Sequence, residues 1–581
     1  MKRNFVTALF LSLIMVGGMA ANAAAADVTF GGQLRPRFEA FEQNDFNDNT
    51  APTFMISTRI RLNVNAKIND KLSAFIQMQA RGVYGAGQTV ALSSQAGLAA
   101  PLVNNRNSAA PSDAVTNVGL HQAYFIINDF FSLPVDVKVG RQEVILDGHR
   151  LFGNTGWTQG AQTHDAIRLD HHHGEHTLSY IYISASETAG SFPPTIAANA
   201  GGGNTGQPGY AGLFGTGTCA ANVNDECDRN EHVLWANLKG ILGGALSLYF
   251  VATDDNTFNT PSTFGATGAN LTAGATLDNN MYTIGLRQAG QLYGIDYRVE
   301  GYYQFGEADG ITSVAGTAGT GFTSGGPFQS LLSNAPAGSA VATNLAAWAA
   351  QAGPGAAAGV DRSAWMYAVR IGKKFNNVMW KPSATIWWDH LSGTDEGDVA
   401  DNEWSTFDTL YDTGHKYYGF MDTYLNPTGT DTSWMGLRDL AGKFSIQPLS
   451  NLTFKADIHA FWTDTDPDQI LNSFGIADTT LLTAVAGGAG AMALAPAGST
   501  KTVGDIDGYL GEELDLTLVY KYDPNTTISL GYSRYWADDT FQLVNGRLTG
   551  RANGAAGAAS RLGSGFDNDA SWGYVQFDVK F

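Results

Sequence analysis

The sequence contains almost no cysteine, and beyond its first segment it lacks any apolar run long enough for a membrane helix. That first segment places Lys2 and Arg3 before an apolar run that ends at Val16, followed by small residues through Ala26. This pattern is typical of a secretory signal peptide spanning residues 1–26, with cleavage near Ala26. After Val16, no stretch approaches the ~20 apolar residues that a transmembrane helix needs. The exported chain is therefore expected to be a soluble protein or a membrane β-barrel.

Cys219 and Cys227 are the only cysteines, and they lie in one glycine-rich stretch. In an oxidising compartment they are expected to form a disulfide bond. Closing so short a ring would stabilise the fold by roughly 2–3 kcal/mol in the chain-entropy model. A metal site built on two lone cysteines is the weaker alternative.

Basic residues and catalytic motifs are also scarce. The chain has 34 lysines and arginines against 54 aspartates and glutamates, a formal net charge of −20, which argues against nucleic acid as a partner. A nucleophile paired with a base, a paired-carboxylate motif, a zinc-binding HExxH and a phosphate-binding glycine loop are not present in convincing form. The protein is therefore not expected to be an enzyme or to carry a cofactor. A barrel hydrolase whose catalytic residues are distant in sequence is the alternative.

Alternation of apolar and polar residues with a period of two recurs along the exported chain, which is typical of half-buried β-strands. Within residues 53–67, apolar positions alternate with charged ones, so this segment has one apolar and one charged face. Such a strand fits a soluble sandwich, whose apolar faces meet in a core, and also a membrane barrel, whose apolar faces contact lipid. The lengths of the connections distinguish the two.

The connections between the predicted strands are alternately short and long. Short links such as 68–70 and 522–525 alternate with long ones such as 185–230 and 306–362. This alternation implies antiparallel neighbours with all long loops on one side, as in barrels with short periplasmic turns and long extracellular loops. The expected fold is therefore all-β: residues 27–581 form one transmembrane antiparallel β-barrel of about 18 strands. The predicted strands are 28–41, 53–67, 71–84, 117–128, 134–141, 165–172, 176–184, 231–239, 244–253, 280–289, 292–305, 363–374, 380–390, 432–446, 451–463, 508–521, 526–537 and 571–581.

The last segment, Trp572 to Phe581, alternates regularly and ends in a C-terminal phenylalanine. It resembles the terminal strand that outer-membrane barrels present to their assembly machinery. That machinery and outer-membrane lipid are therefore expected partners, and the outer membrane of a Gram-negative bacterium is the expected location. Aromatic residues near strand ends suit the girdles at the two membrane interfaces, with ordinary β-core aromatics as the alternative. These residues are Tyr84, Tyr124, Tyr249, Trp365, Tyr367, Trp380, Trp387, Trp388, Tyr535 and Trp536.

Arginines occupy the positions of the first three predicted strands that point away from the apolar face. Placing an arginine in hydrocarbon near the membrane midplane costs ~2–4 kcal/mol, so these side chains are expected to line the lumen. There they would attract anions and hold carboxylates or phosphates by forked hydrogen bonds. The alternative is internal ion pairs that brace the barrel, and both interpretations stay open. The arginines are Arg35, Arg37, Arg59, Arg61 and Arg81.

Clusters of histidines and acidic residues also raise the possibility of metal binding. His171, His172, His173 and His176 surround a predicted turn, where consecutive side chains point to alternate sides. Only two of them could easily share an ion. Acidic loop segments such as 395–401 offer oxygen ligands for Ca²⁺, yet none has the spacing of a recognised calcium loop. No metal site is therefore expected.

The stretch from Gly140 to Leu169 is charged and of middling length, unlike the other long connections. We expect its loop, residues 142–164, to fold back into the space that the strands enclose. The stretch contains Gly140-Arg141-Gln142-Glu143, Arg150-Leu151, Gly153, Trp157, Asp165 and Arg168-Leu169. These elements resemble the hallmark of the alginate export family of outer-membrane porins. A second family-like piece, Phe407 to Asp422, has at its centre Gly414-His415-Lys416.

The resemblance implies an eighteen-stranded barrel and an arginine-lined constriction narrowed by folded-in loops. The matching candidates here are Arg141, Arg150 and Arg168, with Glu143 and Asp165 positioning them. The sequence departs from the family pattern at residues 162–166, where an expected arginine, phenylalanine and glycine are replaced. The replaced arginine removes one positive charge from the candidate constriction.

Together these observations predict an outer-membrane porin for the passive passage of solutes. The expected cargo is an anionic sugar, an oligosaccharide or a small organic anion, which passes an arginine-lined lumen narrowed by residues 142–164. The alternative from another class is a structural or adhesive barrel that binds partners through its long Gly/Ala-rich loops.

Overall fold

The computed structural model describes most of the exported chain. The signal peptide predicted for residues 1–26 and the disulfide predicted between Cys219 and Cys227 lie outside the described residues. The described residues are 27–42, 52–84, 118–186, 229–255, 280–308, 360–401, 403–425, 427–428, 431–432, 434–473, 477–479, 502–544 and 569–581.

The described strands form one antiparallel sheet that closes into a barrel of 18 strands. The first strand pairs with the second along one edge and with the last along the other. The strands of the first half are β1 (Asp27–Glu42), β2 (Thr53–Lys67), β3 (Leu72–Val83), β4 (Val118–Ile127), β5 (Val135–Gln142), β6 (His164–His173), β7 (His176–Ser186), β8 (Arg229–Ile241) and β9 (Gly244–Asp255). Those of the second half are β10 (Asn280–Leu292), β11 (Ile295–Glu307), β12 (Asp361–Lys374), β13 (Ser383–Leu391), β14 (Glu403–Trp404), β15 (Leu437–Leu449), β16 (Leu452–Trp462), β17 (Tyr509–Lys521), β18 (Thr526–Ala537) and β19 (Asp569–Lys580).

All eighteen predicted strands are confirmed, and β14 is an addition. It pairs in parallel with the first residues of β12, while β13 pairs directly with β15, so β14 lies outside the main ladder. The largest boundary errors come from residues with positive φ. β13 begins three residues late because Trp380 and Lys381 form a turn at φ 65° and 45°, and β15 begins at Leu437 because Trp434 and Gly436 also have positive φ.

The outward face of the barrel is apolar, as the alternation predicted. On β2, Ile60 and Leu62 are exposed, whereas Arg59, which precedes Ile60, is buried on the lumen side. At the seam, the backbones of Gly32 and Phe581 exchange two hydrogen bonds of 2.8 and 3.2 Å. A Cβ at residue 32 would overlap the Phe581 ring, so glycine is what allows the C-terminus to close against β1.

Several of the predicted girdle aromatics face outward, and others do not. Tyr84, Trp365, Tyr367, Trp380 and Trp536 are exposed on the outside. Strand register places a second group on the lumen face, where they are buried. The buried ones are Tyr249, Trp387 and Tyr535.

Helices are few and short in the described residues. No helix there is long and apolar enough to cross a membrane. They are α1 (Glu396–Ala400), α2 (Pro467–Ser473) and α3 (Asp539–Val544), with 3₁₀ turns at Phe130–Ser132, Gly414–Lys416 and Val503–Asp505.

Candidate functional site

Two connections fold into the lumen and dock on each other. Loop A (residues 143–163) joins β5 to β6, and loop B (residues 392–436) joins β13 to β15. Phe152 and Tyr411 form a parallel bridge between them. The Gly153 N–H donates to the Tyr411 carbonyl and the Tyr411 N–H donates to the Leu151 carbonyl, both at 2.8 Å. The two loops therefore form a short ribbon inside the barrel.

One side of this ribbon is apolar and packs on the barrel wall. Loop A contributes Val144, Leu146 and Phe152 to a buried cluster that includes Ile181 and Val251 of the wall. Each of these side chains has almost no exposed surface. Apolar burial of this kind stabilises docking, because each buried side chain of this size contributes roughly 1.5–3 kcal/mol.

On the opposite side, the predicted arginines hold the backbone of loop A. Arg35 donates to all three carbonyl oxygens of residues 156–158, at 2.7 to 2.9 Å. Arg59 donates to the first and third of these carbonyls at 3.1 and 3.0 Å, and Arg37 donates to the Trp157 carbonyl at 2.6 Å. All three side chains are at least 96% buried. They face the lumen as predicted, but they anchor loop A instead of lining an open passage.

Arg61 of β2 also contacts loop A. Its partner there is Glu143, the first residue of the loop. Arg61 lies 3.6 Å from the Glu143 carboxylate, and His121 Nε2 lies 3.1 Å from it. Asn154 Nδ2 also donates to Glu143, at 2.9 Å. Arg81 lies opposite Arg59 in the register of β2 and β3. The internal ion-pair interpretation therefore describes Arg61 and Glu143.

Arg141 and Asp165 lie on the outside of the barrel. They are register partners on β5 and β6 and form a forked ion pair at 2.9 and 2.6 Å. Asp165 shares its face of β6 with the exposed Ile167, whereas its neighbours His164 and Ala166 are buried inward. Neither residue lines the lumen, which corrects the prediction. The physical reason is the strand period of two, which turns Asp165 away from the lumen.

Arg150 and Arg168 do face the lumen. Arg168 pairs with Asp170, two residues along the same strand, at 2.8 Å. Arg150 is 2% exposed and lies 2.6 Å from Asp389 and 3.5 Å from Glu300. Its guanidinium also stacks 3.6 Å above the Tyr417 ring of loop B. Arg150 therefore joins loop A to loop B and the wall.

Around Arg150 lies a basic cluster that the sequence analysis did not identify. Glu300 on β11 also lies 3.8 Å from Arg287 and 3.7 Å from Arg298, and Asp389 lies 3.7 Å from Arg370. Arg287 reaches Asp147 of loop A at 3.4 Å. We define the basic cluster as Arg150, Arg287, Arg298, Arg370 and Lys416, with the carboxylates Asp147, Glu300 and Asp389.

The basic cluster has five cationic groups against three carboxylates, a surplus of two positive charges. The Nε atoms of Arg287, Arg298 and Arg370 have no hydrogen-bond partner among the described residues. Lys416 of loop B is exposed, and its Nζ donates to the Gly148 carbonyl at 3.0 Å. Desolvation, and then the charges of Arg298, Arg150 and Arg287, lower the pKa of Lys416 to about 8. The cluster therefore has unsatisfied donors and excess positive charge.

Comparison with known families identifies the chain. A family model described as alginate export matches residues 26–183 and 218–555. The chain belongs to the alginate export family. Family membership and the closed barrel make it a solute channel of the outer membrane.

Comparisons with single proteins give fold likeness only. Among solved structures, OccAB1 of Acinetobacter baumannii is 10% identical over 96% of each chain, with a TM-score of 0.46. OccD3 (OpdP) of Pseudomonas aeruginosa is 11% identical over 96% of this chain and 93% of that chain, with a TM-score of 0.41. No curated protein sequence matches the chain.

The alginate export motif residues build the base of loop A and its contact with loop B. Gly140 has a φ of 123°, and a Cβ there would overlap the Ala123 carbonyl. Gln142 Nε2 donates to the Ala166 carbonyl across the strand pair at 3.0 Å. The two motif pieces meet where Trp157 stacks on His415, with ring centroids 4.3 Å apart. Gly414 precedes this histidine and Lys416 follows it.

Several of the residues weighed for metal binding have other partners. His171 Nδ1 lies 2.9 Å from the Pro134 carbonyl, and the Asp395 and Asp398 carboxylates accept each other's backbone N–H. Within the described ranges, no group of three or more histidine, cysteine or acidic residues is placed to hold a metal ion.

Proposed function

We propose that this member of the alginate export family lets anionic solutes cross the outer membrane passively, driven by their own gradient. The expected solutes are anionic sugars, oligosaccharides and small organic anions. The observation that supports this proposal is the basic cluster, with its surplus of two positive charges beside loops A and B. A positively charged constriction attracts anions and repels cations.

The arrangement suits transient binding better than tight binding. Glu300 and Asp389 are shared between two or three arginines each, so they orient the guanidinium groups without neutralising all of them. A carboxylate or phosphate would meet forked donors from Arg298 and an exposed ammonium from Lys416. Several weak sites side by side allow a solute to enter and also to leave.

The test is the reversal potential of the purified channel in a planar bilayer with a KCl gradient. Wild type is expected to be anion-selective, and Lys416→Ala and Arg298→Ala to shift the reversal potential toward zero. Arg141→Ala is the matched control, because this arginine lies on the outer face beside Asp165 and should leave selectivity unchanged. Cation selectivity in wild type, unaltered by the two lumen substitutions, would refute the proposal.

We also propose that β19, which ends beside Phe581, is the element that the outer-membrane assembly machinery recognises, and that the protein has no catalytic activity. The regular alternation of β19 supports the first point. Replacing Phe581 with alanine should lower the yield of folded barrel in cells while leaving refolding into detergent unaffected. Equal yields in cells would contradict it.

A further inference from the structure

A column of four stacked groups crosses from the barrel wall through loop A to loop B. The Arg37 guanidinium of β1 lies 3.7 Å from the centroid of the Trp157 ring. Trp157 also stacks on His415, at 4.3 Å and an interplanar angle of 5°. His415 stacks in turn on Phe420, at 4.8 Å and 14°. The column therefore joins three separate parts of the chain.

Both ends of the column are fixed by charged groups of the wall. Arg37 donates to Gln576 at 2.9 Å and lies 3.6 Å from Glu39. At the loop B end, the N–H groups of Phe420 and Met421 donate to Asp515 at 3.3 Å and Glu513 at 2.8 Å. Arginines thus hold carbonyls of loop A, and carboxylates hold N–H groups of loop B.

The middle of the column is also held in orientation. His415 Nδ1 lies 2.7 Å from the Asp422 carboxylate, so the imidazole cannot rotate without losing this contact. The residue after it, Lys416, extends to the Gly148 carbonyl, and the Tyr417 hydroxyl donates to the same oxygen. The stacking partner of His415 therefore helps to determine where the Lys416 ammonium lies.

We infer that Trp157 and His415 are positioning residues that lock loop B onto loop A and thereby hold Lys416 in the basic cluster. The attachment of loop B to loop A is argued from the stacking geometry, whereas its effect on ion selectivity rests on the proposed function. Stacked aromatic and cation–π contacts each change an equilibrium by up to about tenfold. The stacking contact of Trp157 with loop B is the one with His415, so Trp157→Ala should lower the docked-to-undocked ratio of loop B by up to about tenfold.

The experiment compares single-channel recordings of wild type, Trp157→Ala, His415→Ala and the double variant. Each single variant should show several conductance levels with rapid transitions and a reversal potential closer to zero. The double variant should show less than the sum of the two single effects, because the contact between Trp157 and His415 is lost in both single variants. Trp157→Phe and His415→Phe keep a stacked ring and should restore most of the wild-type behaviour.

Trp404→Ala is the matched control. Trp404 is also a buried tryptophan that contacts loop B residues, but it packs against Trp434 in a separate cluster. This control distinguishes loss of the column from general loosening of loop B. One steady conductance level in Trp157→Ala, or identical changes in Trp404→Ala, would overturn the inference. If the wild-type channel is not anion-selective but the conductance of Trp157→Ala still fluctuates, the proposed function is refuted and the positioning role of Trp157 and His415 is retained.

Discussion

Replacing Arg35 with alanine tests whether the inward arginines anchor loop A. Arg35 makes five hydrogen bonds, three to carbonyls of residues 156–158 and two to the Gln159 side chain. The substitution removes all of them and leaves the strand pairing of β1 intact. Loop A keeps its bonds to Arg37 and Arg59 and its apolar contacts. Partial release of the loop is therefore expected, with the barrel itself still folded.

The size of the effect follows from the hydrogen bonds lost. A hydrogen bond to a charged group contributes about 1.5–3 kcal/mol in a folded protein. Three such bonds would total several kcal/mol, but lumen water can hydrate the freed carbonyls, and the neighbouring Arg37 and Arg59 repel Arg35. A net loss of about 3 kcal/mol is reasonable, which lowers the docked-to-undocked ratio by about 150-fold.

Single-channel recording in planar bilayers measures this effect. Arg35→Ala should open to higher conductance levels and switch between levels, whereas wild type should hold one level. Arg35→Lys should be intermediate, because an ammonium cannot span three carbonyls as a planar guanidinium does. The control is Arg168→Ala, which removes the same charge from a lumen-facing arginine bound to Asp170. A single wild-type level in Arg35→Ala would refute the anchoring role.

Two further predictions concern loop B. Because the pKa of Lys416 is lowered to about 8, its charge is lost as pH rises from 7 to 9. Anion selectivity should therefore fall over that interval. Lys416→Arg should abolish the pH dependence of the reversal potential, because arginine stays charged. Gly419 has a φ of 84°, and a Cβ there would overlap the Glu513 carboxylate. Gly419→Ala should therefore displace the tip of loop B and give a fluctuating conductance. Heat-modifiability on gels is the control that shows whether the barrel has folded.

Most of the barrel could be predicted from the sequence, because strand period and connection length are local properties. The alternation on β2 assigned Arg59 and Arg61 to the lumen side, since Arg61 lies between the exposed Ile60 and Leu62 and Arg59 lies two positions before it.

The lumen assignment of Arg141 and Asp165 was wrong because it followed the family resemblance and not this alternation. Alternation places Arg141 on the same face of β5 as Val137 and Val139, and Asp165 on the same face of β6 as Ile167. The lumen assignment of these two residues came from the family motif, which carries no information on which face of the strand a residue occupies.

The candidate site was harder to predict, because it depends on contacts between distant parts of the chain. Lys416 reaches Gly148 across 268 positions of sequence, and no local pattern encodes that contact. One signal was available for Arg287. It lies on a predicted strand, and pairing that strand with the next places Glu300 directly opposite. Reading such cross-strand charge pairs on the lumen face would have found this part of the basic cluster.

The difference between the two groups of arginines has a physical cause. A buried guanidinium must find acceptors for its five N–H donors, or it loses more in desolvation than it gains. On β1 and β2 the carbonyls of loop A supply those acceptors, so Arg35 and Arg59 are satisfied before any solute arrives. For the arginines of β10 to β12 the acceptors are Asp147, which pairs with Arg287, and two carboxylates that several arginines share, and some donors remain unused. A row of lumen arginines therefore marks anion selectivity only where the folded-in loops leave their donors free.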